Sequence, residues 1–227
     1  KQKIIESPSR PPRLTSIDIF GSMYADGFFS EFLDAGFHPY LQTQRGCPFA
    51  CAFCHSSDPY NSQMLFVNPE DFRKDMEYLG KRYSGKHDVV LYLANTNMSL
   101  FKEDFVVAKI ISDMQAKYDW PRYIISGWGK SPQKVLEMLS ILKYFQPAIA
   151  LQTLTPSVLR TIRRINISMD DYIDFQRQVL QITGVTSATE LIVGLPGETR
   201  ESFLNVVKTV LNSGVQNIVI YTLMKLK

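Results

Sequence analysis

An α/β fold built on a parallel sheet is what this 227-residue sequence predicts. Three observations carry that expectation. Six short apolar runs recur along the chain, each continuous rather than alternating, as in strands buried on both faces of a parallel sheet. Longer amphipathic segments separate them, and Gly and Pro punctuate the junctions. Antiparallel hairpins are not expected from this alternation.

The expected strands are Tyr40 to Thr43, Val89 to Leu93, Arg122 to Ile125, Ala148 to Leu151, Glu190 to Val193 and Asn217 to Tyr221. The first helix between them is marked at both ends. Asn68 caps it, Pro69 suits the first helical position, Glu70 and Asp71 complement the positive end of the dipole, and Gly80 stops it. Phe72, Met76 and Leu79 form its apolar stripe. Helices are expected at 102 to 117 and from Ser131-Pro132, where Val135, Leu136, Leu139 and Leu142 face inward. A shorter turn at 156 to 163 and a helix at 170 to 182 follow. The last helix carries Phe203, Val206, Val207, Val210 and Leu211 and ends before Gly214. Right-handed crossovers between successive strands would set the post-strand loops around one mouth, where chemistry belongs. An open doubly wound sheet is the alternative from pattern alone.

Composition narrows the function classes. With 45% hydrophobic and 21% charged residues the chain is ordinarily globular. The net charge of +3 is spread along the sequence, so there is no clear nucleic-acid signal. No apolar run is long enough to span a bilayer, and Lys1-Gln2-Lys3 opens no signal-peptide core, so a cytoplasmic setting is expected. Residues 1–36, with the proline-rich Ser7-Pro8-Ser9-Arg10-Pro11-Pro12-Arg13, read as a linker and lead-in segment, and 37–227 as the core domain of a longer protein.

The chain has three cysteines, and Cys47, Cys51 and Cys54 form a single C-x3-C-x2-C run directly after the first expected strand. Thiolates are soft ligands suited to zinc or to iron-sulfur iron, and short spacings let one loop wrap one centre. Clusters are usually held by four cysteines, so three would leave one iron open to a small molecule. Zinc is the rival, with His55 as a fourth ligand that must turn back sharply from Cys54. Cys51-Ala52-Phe53-Cys54-His55 also matches the C-x-x-C-H pattern of haem attachment, which leaves Cys47 unexplained. Gly127-Trp128-Gly129-Lys130-Ser131 resembles the end of a phosphate loop, but Ile124 stands where its first glycine belongs.

The cysteine run, with Phe53 before Cys54, Arg45-Gly46 ahead of it, Leu151-Gln152-Thr153-Leu154-Thr155-Pro156 in the middle and Gly194-Leu195-Pro196-Gly197-Glu198-Thr199 near the end, resembles the radical S-adenosylmethionine (SAM) superfamily. The order of motifs is most like the class that carries a cobalamin (B12)-binding domain upstream, and the likeness covers roughly residues 37 to 227. It implies a partial (β/α)6 TIM-like barrel, a 4Fe-4S cluster on Cys47, Cys51 and Cys54, and SAM on the fourth iron. The implied activity is reductive cleavage of SAM to a 5'-deoxyadenosyl radical that acts on an unknown substrate, with an electron from a flavodoxin- or ferredoxin-type donor. Cobalamin-dependent methyl transfer is a further subclass, although no D-x-H-x-x-G motif surrounds His38, His55 or His87, so cobalamin would be bound outside this sequence.

The same likeness distributes SAM contacts. Asn95 and Asn97 occupy the place of the motif for the amino group, without its usual Gly-Gly-Glu-like residues; a helix-capping turn is the equal alternative. Gln152 reaches ribose or caps the following turn. Arg164 meets the carboxylate through a bidentate fork, while Arg163 suits the surface. Glu190 faces the barrel interior, and Phe53, Ile192 and Tyr221 flank adenine, although each also suits core packing. The alternative from another class is a zinc-stabilised interaction module with structural cysteines.

Overall fold

A computed structural model describes residues 11–19, 21–184 and 187–224. The calls on Ser7 to Arg10 in the opening segment fall outside them. Seven strands and seven α-helices are present among the described residues: α1 Ser30–Asp34, β1 Tyr40–Leu41, β2 Gln44–Arg45, β3 Leu65–Phe66, α2 Pro69–Arg82, β4 Leu91–Met98, α3 Lys102–Tyr118, β5 Ile124–Trp128, α4 Pro132–Ile141, α5 Pro156–Thr161, α6 Met169–Thr183, β6 Ala188–Val193, α7 Arg200–Asn212 and β7 Asn217–Thr222.

The parallel sheet is real but broken into pieces. Strands β1, β4 and β5 form one ladder, in that order, and β6 pairs with β7 in another. Parallel bridges Ile124–Phe145 and Ala148–Ala188 link the two through the segment after α4, which gives a curved six-position order. The expected strand Ala148 to Leu151 is therefore a run of isolated bridges rather than a ladder strand. Its carbonyls are taken by side chains: the Arg164 guanidinium donates to Ala150 O, and Asn166 Nδ2 donates to Leu151 O at 2.7 Å. A carbonyl engaged this way is lost to a neighbouring strand. The fold is the α/β partial barrel the resemblance implied.

Three further expectations change. An antiparallel pair does occur, β2 with β3, in register Gln44 to Phe66 and Arg45 to Leu65. It closes the base of the cysteine loop, a long-range pairing that the βα alternation does not signal. The helix expected to stop at Gly80 runs on to Arg82, because the missing side chain serves packing: a Cβ there would lie 2.4 Å from the Tyr118 ring. Lastly, the sheet is not apolar on both faces. Along 148–152 the odd positions Ile149 and Leu151 enter the core under α4, α6 and α7, while Ala148, Ala150 and Gln152 line a cavity on the concave side.

Two apolar clusters anchor the sheet from outside. Phe72, Met76 and Leu79 of α2 meet Leu91 and Leu93 of β4, Ile110, Ile111 and Met114 of α3, and Trp120. Val135 and Leu139 of α4, Tyr172, Phe175 and Val179 of α6, and Val206 and Val210 of α7 cover Ile149, Leu151 and Leu191. Part of the lead-in segment joins the first cluster, through Tyr24 and Leu33, and Asp75 accepts hydrogen bonds from the N–H groups of Tyr24 and Ala25. Val219, Ile220 and Tyr221 of β7 are exposed among the described residues. No helix among these residues is long and apolar enough to cross a membrane.

Candidate metal and cofactor site

The cysteine loop is held at its base and on both flanks. Cys47 N–H donates to Asn61 O at 2.9 Å, Ala52 N–H donates to Ile162 O at 2.9 Å, and Thr96 Oγ1 donates to Gly46 O at 2.9 Å. Gly46 sits at φ +118°, and a Cβ there would lie 2.4 Å from Gln63 O, so only glycine lets the loop pass this close to the chain before β3. All three cysteines are free thiols and line one cavity of about 270 Å³ at the carboxyl ends of the parallel strands. Among the described residues no three His, Cys, Asp or Glu side chains form a compact single-ion cage.

Eight of the eleven residues singled out from the sequence meet at that cavity: Cys47, Cys51, Cys54, Phe53, Asn97, Gln152, Arg164 and Glu190. The other three do not line it. Asn95 lies within β4, which extends to Met98 rather than ending at Leu93, and its carboxamide is engaged in the framework. Its Oδ1 accepts from Thr43 N–H at 3.1 Å and Gln44 N–H at 3.2 Å, and its Nδ2 donates to Thr43 Oγ1 at 2.6 Å. Ile192 is buried with Val158, Ile162 and Leu195, with Phe53 packed against them. Tyr221 is half exposed on β7, beside Ile192 in register.

On the near wall Asn97 Nδ2 lies 3.4 Å from Cys47 Sγ and donates to Thr96 Oγ1 at 3.0 Å. On the far wall Arg164 is 8% exposed, its Nε donates to Asn166 Oδ1 at 2.8 Å, and its Nη1 stands 4.0 Å from Cys51 Sγ. Burial pulls the Arg164 pKa below its ordinary value, partly offset by Cys51. Burial pushes the Glu190 carboxyl up from its ordinary value, against Gln152 and Arg164. Gln152 adopts φ +64°, and its Oε1 is buried without a hydrogen-bond partner. An unpartnered buried acceptor beside a cavity is costly, and a ligand with a donor group would satisfy it.

Sequence reasoning missed Lys130. It was set aside with the phosphate-loop likeness, yet its Nζ lies 3.5 Å from Cys51 Sγ and 3.9 Å from the centre of the Phe49 ring. Only its place just after a strand end, where barrel loops converge, could have signalled it. The two middle and late motifs are also joined. Glu198 of the Gly194 to Thr199 turn accepts from Thr153 Oγ1 at 2.5 Å and Thr155 Oγ1 at 2.7 Å, tying the loops after two neighbouring strand positions into one rim.

These residues fit the donor set the resemblance implied: three thiols on one loop, cations beside them, and unfilled polar capacity opposite. The family model described as Radical SAM superfamily matches residues 41–210. The chain is 28% identical over 190 residues to the 2-(S-pantetheinyl)-carbapenam-3-carboxylate methyltransferase of Streptantibioticus cattleyicolor, covering 80% of this chain and 27% of that protein. It is 26% identical to the cobalamin-dependent radical SAM methyltransferase TokK of Streptomyces tokunonensis, covering 78% and 26%. The chain thus spans about a quarter of the length of these relatives. In fold it is similar to the radical SAM methyltransferase TsrM of Kitasatospora setae, solved with cobalamin and a 4Fe-4S cluster, at TM-score 0.69 and 14% identity over 85% of this chain and 38% of that one. It is also similar to the coproporphyrinogen III oxidase HemN of Escherichia coli, at TM-score 0.61 and 16% identity over 95% and 51%.

Proposed function

Because the chain belongs to the radical SAM superfamily, we propose that it is the catalytic core of an enzyme that binds a 4Fe-4S cluster through Cys47, Cys51 and Cys54 and cleaves SAM reductively. When bound, the cluster and SAM supply a 5'-deoxyadenosyl radical able to abstract hydrogen from a substrate. The observation that carries the reading is the convergence of all three cysteines with Asn97, Gln152, Arg164 and Glu190 on one cavity.

The chain's own residues bind, orient and exclude water. Arg164, fixed by Asn166 and Ala150 O, holds a guanidinium in the cavity wall, suited to a carboxylate such as that of SAM. Gln152 Oε1 awaits a donor, as an ammonium or ribose hydroxyl would provide. Asn97 steadies the Cys47 sulfur. Ala148 and Ala150 leave the concave face open, and Phe53 closes it beside Cys54. Glu190 supplies the acidic group in the interior. Asn95 acts from behind, by holding β2 and the loop in place. A ligand enclosed there reacts away from bulk water.

The finer assignment is cobalamin-dependent methyl transfer. The methyltransferases among the relatives support it, and cobalamin would then be bound by parts of the longer protein beyond residues 37–227. The electron donor is proposed to be a flavodoxin or ferredoxin, in a cytoplasmic setting where thiols stay reduced.

Anaerobic reconstitution with iron and sulfide tests the core of this reading. The expected product is a brown, dithionite-bleachable protein that yields 5'-deoxyadenosine from SAM. A colourless protein with stoichiometric zinc and no SAM cleavage would overturn it in favour of a structural zinc module.

A further inference from the structure

The Gly127 to Lys130 run lines the same cavity without a ligand group assigned to it above, and its geometry is specific. Gly127 and Gly129 let the end of β5 lie against β4: a Cβ at Gly127 would stand 2.6 Å from Asn95 O, and one at Gly129 would stand 3.1 Å from Met98 O. Gly129 N–H donates to Met98 O at 2.7 Å, and between the glycines Trp128 Nε1 donates to Gln146 O at 3.0 Å. Lys130 leaves this clamped strand end directly over the cysteine loop. Its ammonium rests on the ring of Phe49, a residue between the first two cysteines, so the loop carries the seat for the cation that faces it.

Two cations then flank one sulfur. Lys130 Nζ is 3.5 Å and Arg164 Nη1 is 4.0 Å from Cys51 Sγ. A partly buried ammonium and a guanidinium with 8% exposure repel each other and lose hydration, which is costly unless negative charge lies between them. Hydrogen bonds to ligand sulfurs and local net charge are what tune the potential of an iron-sulfur centre.

We infer that Lys130 is a positioning residue for the cluster: its ammonium, seated on Phe49, sets the reduction potential through the Cys51 sulfur. The inference rests on the cluster assignment made above. One-electron reduction by an external reductant adds a unit of negative charge to the cluster and its sulfurs, and a fixed cation at Cys51 favours that reduced form.

The test is an anaerobic redox titration, monitored by electron paramagnetic resonance, of the reconstituted full-length protein without SAM. Wild type, K130M, K130R and F49L are compared, with iron and sulfide measured first. In K130M the equilibrium for one-electron reduction is expected to weaken about tenfold, which is about 59 mV more negative. K130R should stay near wild type and F49L should fall between. Absence of a cluster in wild type would remove the cluster assignment itself. Equal potentials in loaded wild type and K130M would overturn the role of Lys130 alone, and a loss of SAM affinity, read by calorimetry on the same loaded samples, with unchanged potential would place Lys130 on SAM instead. If K130M does not load, the F49L shift decides the matter, and no shift there overturns the inference.

Discussion

The two walls of the cavity are built from similar residue types and put to opposite uses. Behind the wall made by β4 and β5, Asn95 spends its carboxamide on the protein, gripping Thr43 and Gln44, while Gln44 Nε2 donates to Asp104 Oδ1 at 2.9 Å and Gln44 Oε1 is buried without a partner, away from the cavity lining. On the wall made by 148–152, β6 and the segment after α5, Gln152 keeps an unpartnered acceptor and Glu190 is held at a raised pKa by burial. A satisfied amide is part of the scaffold, and an unsatisfied one that also lines the cavity, as Gln152 does and Gln44 does not, is capacity held for a ligand. Asn95, inside β4, and Gln152, at the end of the 148–152 run, are both buried, so burial alone does not distinguish the two roles. Hydrogen-bond accounting taken together with position on the cavity does.

The largest effect is expected where the walls meet, at the cysteine loop. C51A should abolish cluster content and SAM cleavage together, well beyond the roughly 10–100-fold losses typical of residues one step removed from a metal. Iron analysis and 5'-deoxyadenosine assay measure it.

The comparison itself is tested next. N95L strands two backbone donors, at about 1–3 kcal/mol each, and should lower the Tm of the metal-free protein by on the order of 10 °C. Q152L removes an acceptor that has no partner together with the amide that hydrogen-bonds Glu190, so its Tm should fall less than that of N95L while SAM binds about tenfold more weakly by calorimetry. Equal destabilisation by both changes would break the distinction between scaffold wall and ligand wall. R164K combines both effects, since a lysine keeps the charge but loses the fork and the bonds to Asn166 Oδ1 and Ala150 O; SAM affinity should again fall about tenfold, here with a lower Tm as well.

The smallest effect concerns pH. Burial pushes Asp104, which accepts from Phe101 N–H and Gln44, up from 3.8 to about 6. Its folded pKa lies above its unfolded one, so between these values the unfolded chain gives up the proton first. Stability therefore falls as pH rises from 3.8 to about 6 and levels above that. D104N should flatten this part of the curve in chemical denaturation from pH 3.5 to about 7. A profile unchanged by D104N would mean that Asp104 is as well solvated folded as unfolded.

Much of this is legible in the sequence alone. The C-x3-C-x2-C spacing marks one loop, because ligands so close in sequence need no tertiary fold to share a centre. Helix α2 was readable from Asn68, Pro69 and its apolar stripe, since capping and amphipathic periodicity are local. Glu190 stands out as a carboxylate in an apolar run, and Arg164 through the family likeness of its segment.

What the sequence determined by itself was therefore local: the helices, the alternation that makes a parallel sheet, the cysteine loop and the family signature. Only tertiary structure decided which polar residue serves which wall. Asn95 and Lys130 exchanged their expected places because each depends on a partner far along the chain, Thr43 for one and Cys51 for the other. The β2–β3 pair and the broken strand at 148–152 are of the same kind. Hydrogen bonds of that reach are fixed when the chain closes on itself, and no periodicity in a single segment records them.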